Sequence, residues 1–410
     1  MPLPSLRPVE AVPVEHEGDI MIMIRDPFGL VDGQLILTPA AYYLATLLDG
    51  ESDIADLQAA FHRETEGGSV DANDIRMLVD YLDESGFLAT PRFTEKARRI
   101  CTEFFESPVR PAHLAGLSYP DDPDELRSFL DELFLREGAP GRLPREAERD
   151  AQPVRCLIAP HIDYARGGHS YAHAYLRLAQ APPPETLIIF GVAHAAPPVP
   201  YTLSRKAFAT PFGVLDNDAA TTDRLAAACP YNAFEHELVH RTEHSIELQA
   251  VLAAYLFGDK TTIVPILCGG FLDGDDTAKS PDRVEAARPL LEACTEILRE
   301  RGDAAAIIAA ADLAHIGPCF GDADALDETA IASMQQRDRE DLAFVTAGDA
   351  SGWYRSVMRD GNARRVCGIN AIYSAVSAVD GLVTQTDLLH YGHAADPSGG
   401  IVSFAAAVLS

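Results

Sequence analysis

From residue 155 onward, short runs of apolar residues alternate with longer segments whose apolar positions recur at helical spacing. The apolar runs predict strands at residues 155–159, 186–190, 261–267, 304–311 and 401–408, and the longer segments predict helices at residues 171–179, 219–228, 245–257, 281–301 and 328–346. Strands that are apolar throughout are typical of a parallel sheet covered by helices on both faces. The pattern therefore predicts an α/β fold in which a mainly parallel sheet is sandwiched by helices.

A different pattern occupies residues 20–90. Residues 20–24 and 33–37 predict two short strands, and three short helical patterns follow them. Two short strands with three small helices are typical of a winged-helix-like domain. The sequences DPFG, LLDG and ESGFL resemble those of PqqD-like modules, which bind peptides or partner proteins. We therefore expect three parts: a winged-helix-like (PqqD-like) module at residues 1–95, a connecting helix at residues 96–110 and an α/β domain at residues 111–410.

The balance of charge argues against two classes of partner. The chain has 62 acidic residues against 33 lysines and arginines, which gives a formal charge of -29. Because nucleic acids and anionic membrane surfaces attract basic proteins, we expect neither as a partner. Arg25, Arg63 and Arg76 are the only cationic residues between residues 20 and 90, so the DNA-binding role that a winged helix suggests is disfavoured.

The sequence carries no sign of export or of membrane insertion. Its first residues lack the basic stretch and apolar stretch of a secretory signal. The most apolar window, residues 304–314, is about half as long as a bilayer span requires and contains Asp312. The seven cysteines are scattered without a CxxC pair, as is typical of a reducing compartment. We expect a soluble, cytoplasmic protein.

Polar side chains follow three of the predicted strands at the point where each strand ends. They are His161, His194, Asp312 and His315. In open α/β sheets, ligands bind in the crevice beyond the carboxyl ends of the strands. One histidine in such a place is most often structural, but three together favour a functional site.

Two further residues fit the same crevice. His244 begins a predicted helix, where the helix dipole lowers the pKa of a histidine and favours its neutral form. Cys367 opens another helical stretch just after Arg364 and Arg365, a setting that stabilises a thiolate. Two histidines with a carboxylate suit non-haem iron, whereas a thiolate shifts the preference towards copper, zinc or iron. The residues alone leave the ligand set open.

Several other patterns are weaker indications of a site. His236 and His240 are spaced like metal ligands, but no HExxH sequence is present and we expect both to be solvated. His169 and His173 share a helix face and fit a supporting or structural role better than that of ligands. Residues 273–276 resemble part of a calcium loop without its bidentate glutamate, so we expect an acidic turn. No P-loop, strand-linked GxGxxG or GxSxG elbow occurs.

Six spaced motifs together resemble the Memo family, whose prokaryotic members are called AmmeMemoRadiSam system protein B. In chain order they are AGLSYP at residues 115–120, APH at 159–161, GxxH at 191–194, EHSIE at 243–247, DLAH at 312–315 and CG at 367–368. The resemblance covers about residues 111–410 and leaves the N-terminal module outside it.

The resemblance implies a fold similar to that of the class III extradiol ring-cleaving dioxygenases, with a mononuclear metal site. It implies that His161, His194 and Cys367 are the metal ligands, and that the cysteine stands where the dioxygenases have a carboxylate. By the same resemblance, Asp312, His315 and His244 line the pocket, where we expect them to be catalytic. The expected metal is iron(II) or copper, with zinc as a further option. Prokaryotic members are implied to work beside a radical-SAM enzyme and a third protein.

The chain departs from the family pattern near the predicted pocket. Asp163 replaces a glycine, Arg166 adds a cation, and Ala193 stands where a serine is common. Three hypotheses follow. In the first, the domain is a metal-dependent oxidoreductase that acts on a small molecule or peptide. In the second, it is a non-catalytic protein that binds a peptide or anionic group in the same crevice, with Arg166 as a contact. In the third, the N-terminal module docks a substrate peptide or companion enzyme, and the Memo-like domain acts on it.

Overall fold

A computed structural model describes residues 1–16, 19–31, 33–65, 67–271, 281–396 and 398–410. The predicted acidic turn at residues 273–276 lies outside these described residues. The chain divides into two units, Met1–Glu106 and Ser107–Ser410. No helix in the described ranges is both long and apolar enough to cross a bilayer.

The first unit consists of a small sheet followed by helices. Its elements are β1 (Glu10–His16), β2 (Asp19–Arg25), β3 (Gln34–Leu37), α1 (Pro39–Thr46), α2 (Ile54–Glu64), α3 (Ala72–Glu84) and α4 (Pro91–Glu106). The sheet is antiparallel in the order β1-β2-β3, so it has one strand more than predicted. The missed strand contains Pro13, which reads as a strand breaker but is tolerated at a sheet edge. The helix predicted as a connector, α4, lies within this unit.

The second unit is built around an eight-stranded sheet. Its helices are α5 (Pro123–Leu135), α6 (Tyr164–Gln180), α7 (Ala219–Ala228), α8 (His244–Phe257), α9 (Arg288–Arg301), α10 (Glu328–Thr346), α11 (Ala350–Met358) and α12 (Ile369–Ala378). Its strands are β4 (Val109–Arg110), β5 (Cys156–Ala159), β6 (Thr186–Val192), β7 (Tyr201–Leu203), β8 (Ala207–Thr210), β9 (Gly213–Leu215), β10 (Thr262–Cys268), β11 (Ala305–Ala310), β12 (Asp312–Ile316), β13 (Thr386–Asp396) and β14 (Gly400–Leu409).

The large sheet has the order β12-β14-β5-β11-β6-β10-β7, and β13 also pairs with β14. The four central strands, β5, β11, β6 and β10, are parallel. The outer strands are antiparallel to their neighbours, including β14, which was predicted as part of a mainly parallel sheet. The α/β fold is confirmed, and the sheet is mixed.

Helices cover both faces of this sheet. Successive strand residues point to opposite faces. Leu157 belongs to the buried cluster that contains residues of α5, α6 and α8, whereas Ile158 belongs to the cluster that contains residues of α9, α11 and α12. The helix predicted at residues 171–179 begins earlier, at Tyr164, because Gly167 and Gly168 are part of α6 and do not form a turn before it. A Cβ on Gly167 would meet Ile162 at 2.6 Å, so these glycines allow close packing at the start of α6. The helix predicted at 281–301 begins only at Arg288.

Candidate functional site

The sheet topology brings together the ends of three strands that carry predicted site residues. β5, β11 and β6 are parallel neighbours, so His161, Asp312 and His194 follow them at one edge of the sheet. The ring centroids of His161 and His194 lie 5.1 Å apart. His244, at the start of α8, completes a cluster in which its ring lies 5.2 Å from His161 and 4.8 Å from His194.

Cys367 reaches the same place from the turn that precedes α12. Its Sγ lies 3.3 Å from His161 Nε2, and the ligand atoms of His161, His194 and Cys367 all lie within 4.8 Å of one another. Gly368 lets this turn approach the sheet, because a Cβ there would lie 2.4 Å from the Cβ of Ala311. The Cys-Gly pair therefore has a steric basis: the thiol is placed by a turn that only glycine fits.

The two arginines upstream of Cys367 form ion pairs with aspartates and not with the thiol. Arg364 forms ion pairs with two buried aspartates, and Arg365 pairs with Asp322. Burial raises the pKa of the Cys367 thiol, and its hydrogen bond to His194 opposes that shift only in part. The prediction that the arginines stabilise a thiolate is therefore wrong, because both guanidinium groups are engaged elsewhere.

Neighbouring groups fix the orientation of both candidate histidine ligands. His161 Nδ1 lies 3.0 Å from the carbonyl oxygen of Ala310, so it carries the proton and leaves Nε2 as an acceptor. His194 Nδ1 lies 3.0 and 3.1 Å from the two carboxylate oxygens of Glu243. A histidine ligand that donates its other ring nitrogen to a carbonyl or carboxylate is the usual arrangement around a protein-bound metal. Sequence reasoning missed Glu243, although it is the first residue of the EHSIE motif.

Glu243 also belongs to a second possible ligand set, with His194 and His244. Its oxygens already accept the backbone N–H groups of His194 and Ser245, both at 3.0 Å. Although burial alone would raise the pKa of Glu243, the neighbouring histidines and these hydrogen bonds hold it well below the usual value. A carboxylate so fully used is better suited to orienting His194 than to binding an ion.

The surroundings also shift the pKa values of the other candidates, of which His161 and Asp312 are buried while His244 and His315 are half-buried. Burial lowers the pKa of His161, and the nearby charges of His194 and His244 lower it further. Burial also lowers the pKa of His244 and of His315. Burial raises the pKa of Asp312 to about 7, although the N–H of His161 donates to its Oδ1 at 2.9 Å and favours the charged form. Neutral imidazoles can act as ligands or accept protons.

A cavity of about 380 Å³ opens onto the cluster. Its lining mixes imidazole, carboxyl and apolar groups: His113, Leu114, Ser118, His161, Ile162, Asp163, Arg166, His194, Thr242, His244, Leu248, Asp312, His315, Phe320, Asp396 and Val402. Asp312 and His315 reach it from β12, a separate short strand where a strand end was predicted. A larger cavity of about 630 Å³ beside α9 is lined, among the described residues, by neither histidine nor cysteine.

Arg166 at this cavity is held by two carboxylates. Its Nε donates to Asp163 at 2.5 Å and its Nη1 donates to Asp396 at 3.0 Å. Asp163 also caps α6 by accepting the N–H of Arg166. With two negative charges beside one positive charge, this rim does not offer the free cation that an anionic ligand would need.

One wall of the cavity is formed by residues 110–119, which we call the strap. The strap contributes His113, Leu114 and Ser118 to the lining. It is fixed to α8 by Glu247, whose buried carboxylate accepts bonds from the Arg110 guanidinium, the N–H groups of His113 and Leu114 at 3.0 and 2.8 Å, and the Tyr119 hydroxyl at 2.5 Å. The first and fourth motifs, AGLSYP and EHSIE, are therefore in direct contact.

Two histidines that resembled ligands lie outside the cluster. His240 was predicted to be solvated, but it is 2% exposed and its Nε2 lies 3.0 Å from the carbonyl oxygen of Thr202. His236 is half-buried beside it. The prediction for His240 is wrong because the segment between α7 and α8 places its ring against β7.

Comparisons with known proteins agree with the motifs. The family described as Memo-like protein matches residues 110–408. A MEMO1 family protein of Methanosarcina acetivorans is 30% identical over 305 residues, which cover 73% of this chain and 99% of the relative. One from Methanopyrus kandleri is 29% identical over 301 residues, with 72% and 96% covered. One from Aquifex aeolicus is 26% identical over 351 residues, with 86% and 85% covered, so that similarity reaches into the first unit.

Proposed function

The chain belongs to the Memo family, and we propose that its second unit binds one iron or copper ion through His161, His194 and Cys367. The proposed activity is redox or O₂-dependent chemistry on a small molecule or a modified peptide. The observation that carries the proposal is that three ligand atoms from three separate chain segments lie within 4.8 Å of one another beside a cavity.

The donor set fits such an ion. Two imidazoles and a thiol suit copper, iron or zinc better than magnesium or calcium. His161 Nδ1 donates its proton to the carbonyl oxygen of Ala310, so its Nε2 lone pair is available. Burial alone would lower the pKa of His194, but Glu243 and Cys367 hold it well above its usual value, so His194 has to release its Nε2 proton when the ion binds. Because the thiol must lose its proton on binding, uptake should release a proton and weaken as the pH falls. When bound, iron or copper would supply redox chemistry that protein side chains lack.

The chain's own residues would bind the substrate and handle its protons. His315 and His244 line the cavity with pKa values lowered by burial, so they are neutral bases at pH 7. Asp312, with a pKa of about 7, is suited to hold or release a proton under the same conditions. The strap and Phe320 also line the cavity, so they would contact a bound substrate.

Metal content tests the proposal directly. The protein should be purified without oxygen, loaded with iron(II) or copper(I), and compared with His161→Ala, His194→Ala and Cys367→Ala. We expect one ion in the parent protein and at least about 100-fold weaker binding in each variant. His236→Ala and Cys101→Ala are matched controls outside the site and should bind as the parent does. Equal binding by the parent and the three ligand variants would contradict the proposal.

The alternative is that the same crevice binds a peptide or partner without catalysis. The rim favours a neutral or amine-bearing group over an anionic one, because Arg166 is already paired with Asp163 and Asp396. A ligand that binds equally well to the parent protein and to Cys367→Ala would support this alternative.

We also propose that the first unit is a winged-helix-like docking module for a radical-SAM enzyme and a third protein, in a reducing cytoplasm. Its three-stranded sheet with helices supports such a fold, and the seven cysteines, none in a disulfide, fit a reducing compartment. Deleting residues 1–106 should abolish capture of those partners. Unchanged capture would contradict docking.

A further inference from the structure

A buried group of charged side chains holds the turn that carries Cys367. Arg364 forms ion pairs with Asp338 and Asp341, which lie one turn apart on α10, and all three residues are buried. Arg364 begins the short segment of residues 364–368, which leads directly into α12. The two ion pairs therefore tie this segment, which we call the cysteine turn, to α10.

The cysteine turn is also bonded to β12, the strand that brings Asp312 and His315 to the cavity. The N–H of His315 donates to the carbonyl oxygen of Arg364 at 2.7 Å, and Arg365 Nη1 donates to that of His315 at 3.2 Å. The N–H of Gly368 donates to the carbonyl oxygen of Asp312 at 3.2 Å. These bonds join the two segments along their length, so a shift of the turn would move β12 with it.

Asp338 holds β12 as well as the cysteine turn. Its Oδ1 accepts from the Arg364 guanidinium, whereas its Oδ2 accepts from the hydroxyl groups of Ser403 at 2.6 Å and Tyr391 at 2.8 Å. Ser403 Oγ in turn accepts the N–H of Ala314, in the middle of β12, at 2.9 Å. One buried carboxylate thus reaches the turn through Arg364 and β12 through Ser403.

The backbone near two of the candidate ligands is held against its local preference. Among the residues that the structure describes, those with a positive φ that are not glycine are Ala196 at 45°, Asn362 at 58° and Arg365 at 53°. Ala196 lies two residues after His194, and Arg365 lies two residues before Cys367. Side chains other than glycine and asparagine are unfavourable in this region and persist there only where the surrounding structure imposes it. The ion pairs at the cysteine turn supply that constraint.

We propose that Asp338 and Arg364 are positioning residues that hold the Cys367 thiol and β12 in place around the candidate metal site. The proposal rests on the proposed function, because it takes Cys367 as a ligand. Neither residue lines the cavity, so each acts on the site through the cysteine turn and β12. A buried ion pair adds little net stability, because desolvation offsets the attraction between its charges. Placement of the ligand is therefore the effect that these pairs supply.

The absorption of bound cobalt(II) tests this placement in the full chain. Cobalt(II) accepts the same ligands as iron(II) and zinc(II), and a thiolate bound to it gives a charge-transfer band that imidazole alone does not. Asp338→Asn removes one of the two charges that hold Arg364, so the cysteine turn should lose its fixed position. We expect cobalt binding to weaken about 10–100-fold and the charge-transfer band per bound cobalt to fall, in titrations without oxygen at one pH.

Two controls separate placement from stability. Glu340→Gln, in a solvent-exposed ion pair on the same helix, should bind cobalt as the parent does. Leu298→Ala removes a buried side chain near the C-terminal end of α9, so it should lower the midpoint of thermal unfolding but leave the band per bound cobalt unchanged.

The charge-transfer band per bound cobalt decides the outcome. If Asp338→Asn does not fold, Asp341→Asn removes the other charge from Arg364 and makes the same comparison. A band in the folded variant equal to that of the parent would overturn the proposal, even if the variant is less stable. Absence of the band in the parent itself would contradict the proposed function and this proposal together, so the two failures are distinguishable.

Discussion

Replacing Glu247 with glutamine should strongly destabilise the second unit. Glu247 and Arg110 are both fully buried, and the two side chains form an ion pair. Glutamine keeps the shape of the side chain but removes its charge, and its amide nitrogen cannot accept the N–H groups of the strap. The substitution therefore leaves a guanidinium buried opposite an uncharged group.

The size of the effect follows from the contacts. Removing one partner of a buried ion pair costs about 3–5 kcal/mol, because the other charge remains buried. The backbone carbonyls of His240, Glu243 and Pro111 still accept from Arg110, so we expect the lower part of that range. Tyr119→Phe removes a single hydroxyl donor to the carboxylate and should cost about 1.5–3 kcal/mol. Replacing both charged residues with Met and Leu should cost less than Glu247→Gln alone.

Tryptophan fluorescence provides the assay. Trp353 is the only tryptophan, is 1% exposed, and lies in the second unit with its Nε1 donating to the carbonyl of Ile369. Urea unfolding followed at this residue therefore reports on the unit that contains Glu247. Glu292→Gln, at an exposed position on α9, is the control and should change stability by no more than about 0.5 kcal/mol. A loss below about 1 kcal/mol for Glu247→Gln would refute the reasoning.

Three further substitutions have separable outcomes. Glu243→Gln should keep one metal ion per chain but weaken its binding about 10–100-fold, measured by competition with a chelator, because the orientation of His194 is loosened. Gly368→Ala should cost about 1–3 kcal/mol in urea unfolding and lower metal content, because its Cβ has no room beside Ala311. Burial lowers the pKa of His240 to about 4, so the unfolded chain binds a proton first as the pH falls below 6.5. Stability should therefore drop by up to about 3 kcal/mol between pH 6.5 and 4, and His240→Gln, compared by urea unfolding at pH 7 and 4.5, should lack that part of the drop.

The positions of His161, His194 and Asp312 could be predicted because apolar strands followed by polar residues mark the carboxyl edge of a sheet. The direction of β14 could not, since a strand buried on both faces has the same apolar pattern in parallel and antiparallel pairing. The ion pairs of Arg364 could not be predicted from the sequence either. Its partners Asp338 and Asp341 lie on α10, and no spacing rule links them to the turn before Cys367.

Residues of the EHSIE motif other than its histidine also position the site. At the start of α8, Ser245 Oγ bonds both to the N–H and to the carbonyl of Val192 at 3.1 Å, which holds the end of β6 just before His194. Gly191 is needed there, because a Cβ would lie 2.6 Å from that hydroxyl oxygen.

Further along the same helix, Gln249 donates to the carbonyl of Pro160 at 2.8 Å and so holds the residue before His161. Together with Glu243 and Glu247, these side chains let one helix position both histidine ligands and the strap. His244 is the member of the group whose ring faces the cavity. Substituting His244 should therefore change the chemistry of the site with little loss of stability, whereas substituting its buried neighbours should disturb the placement of the ligands.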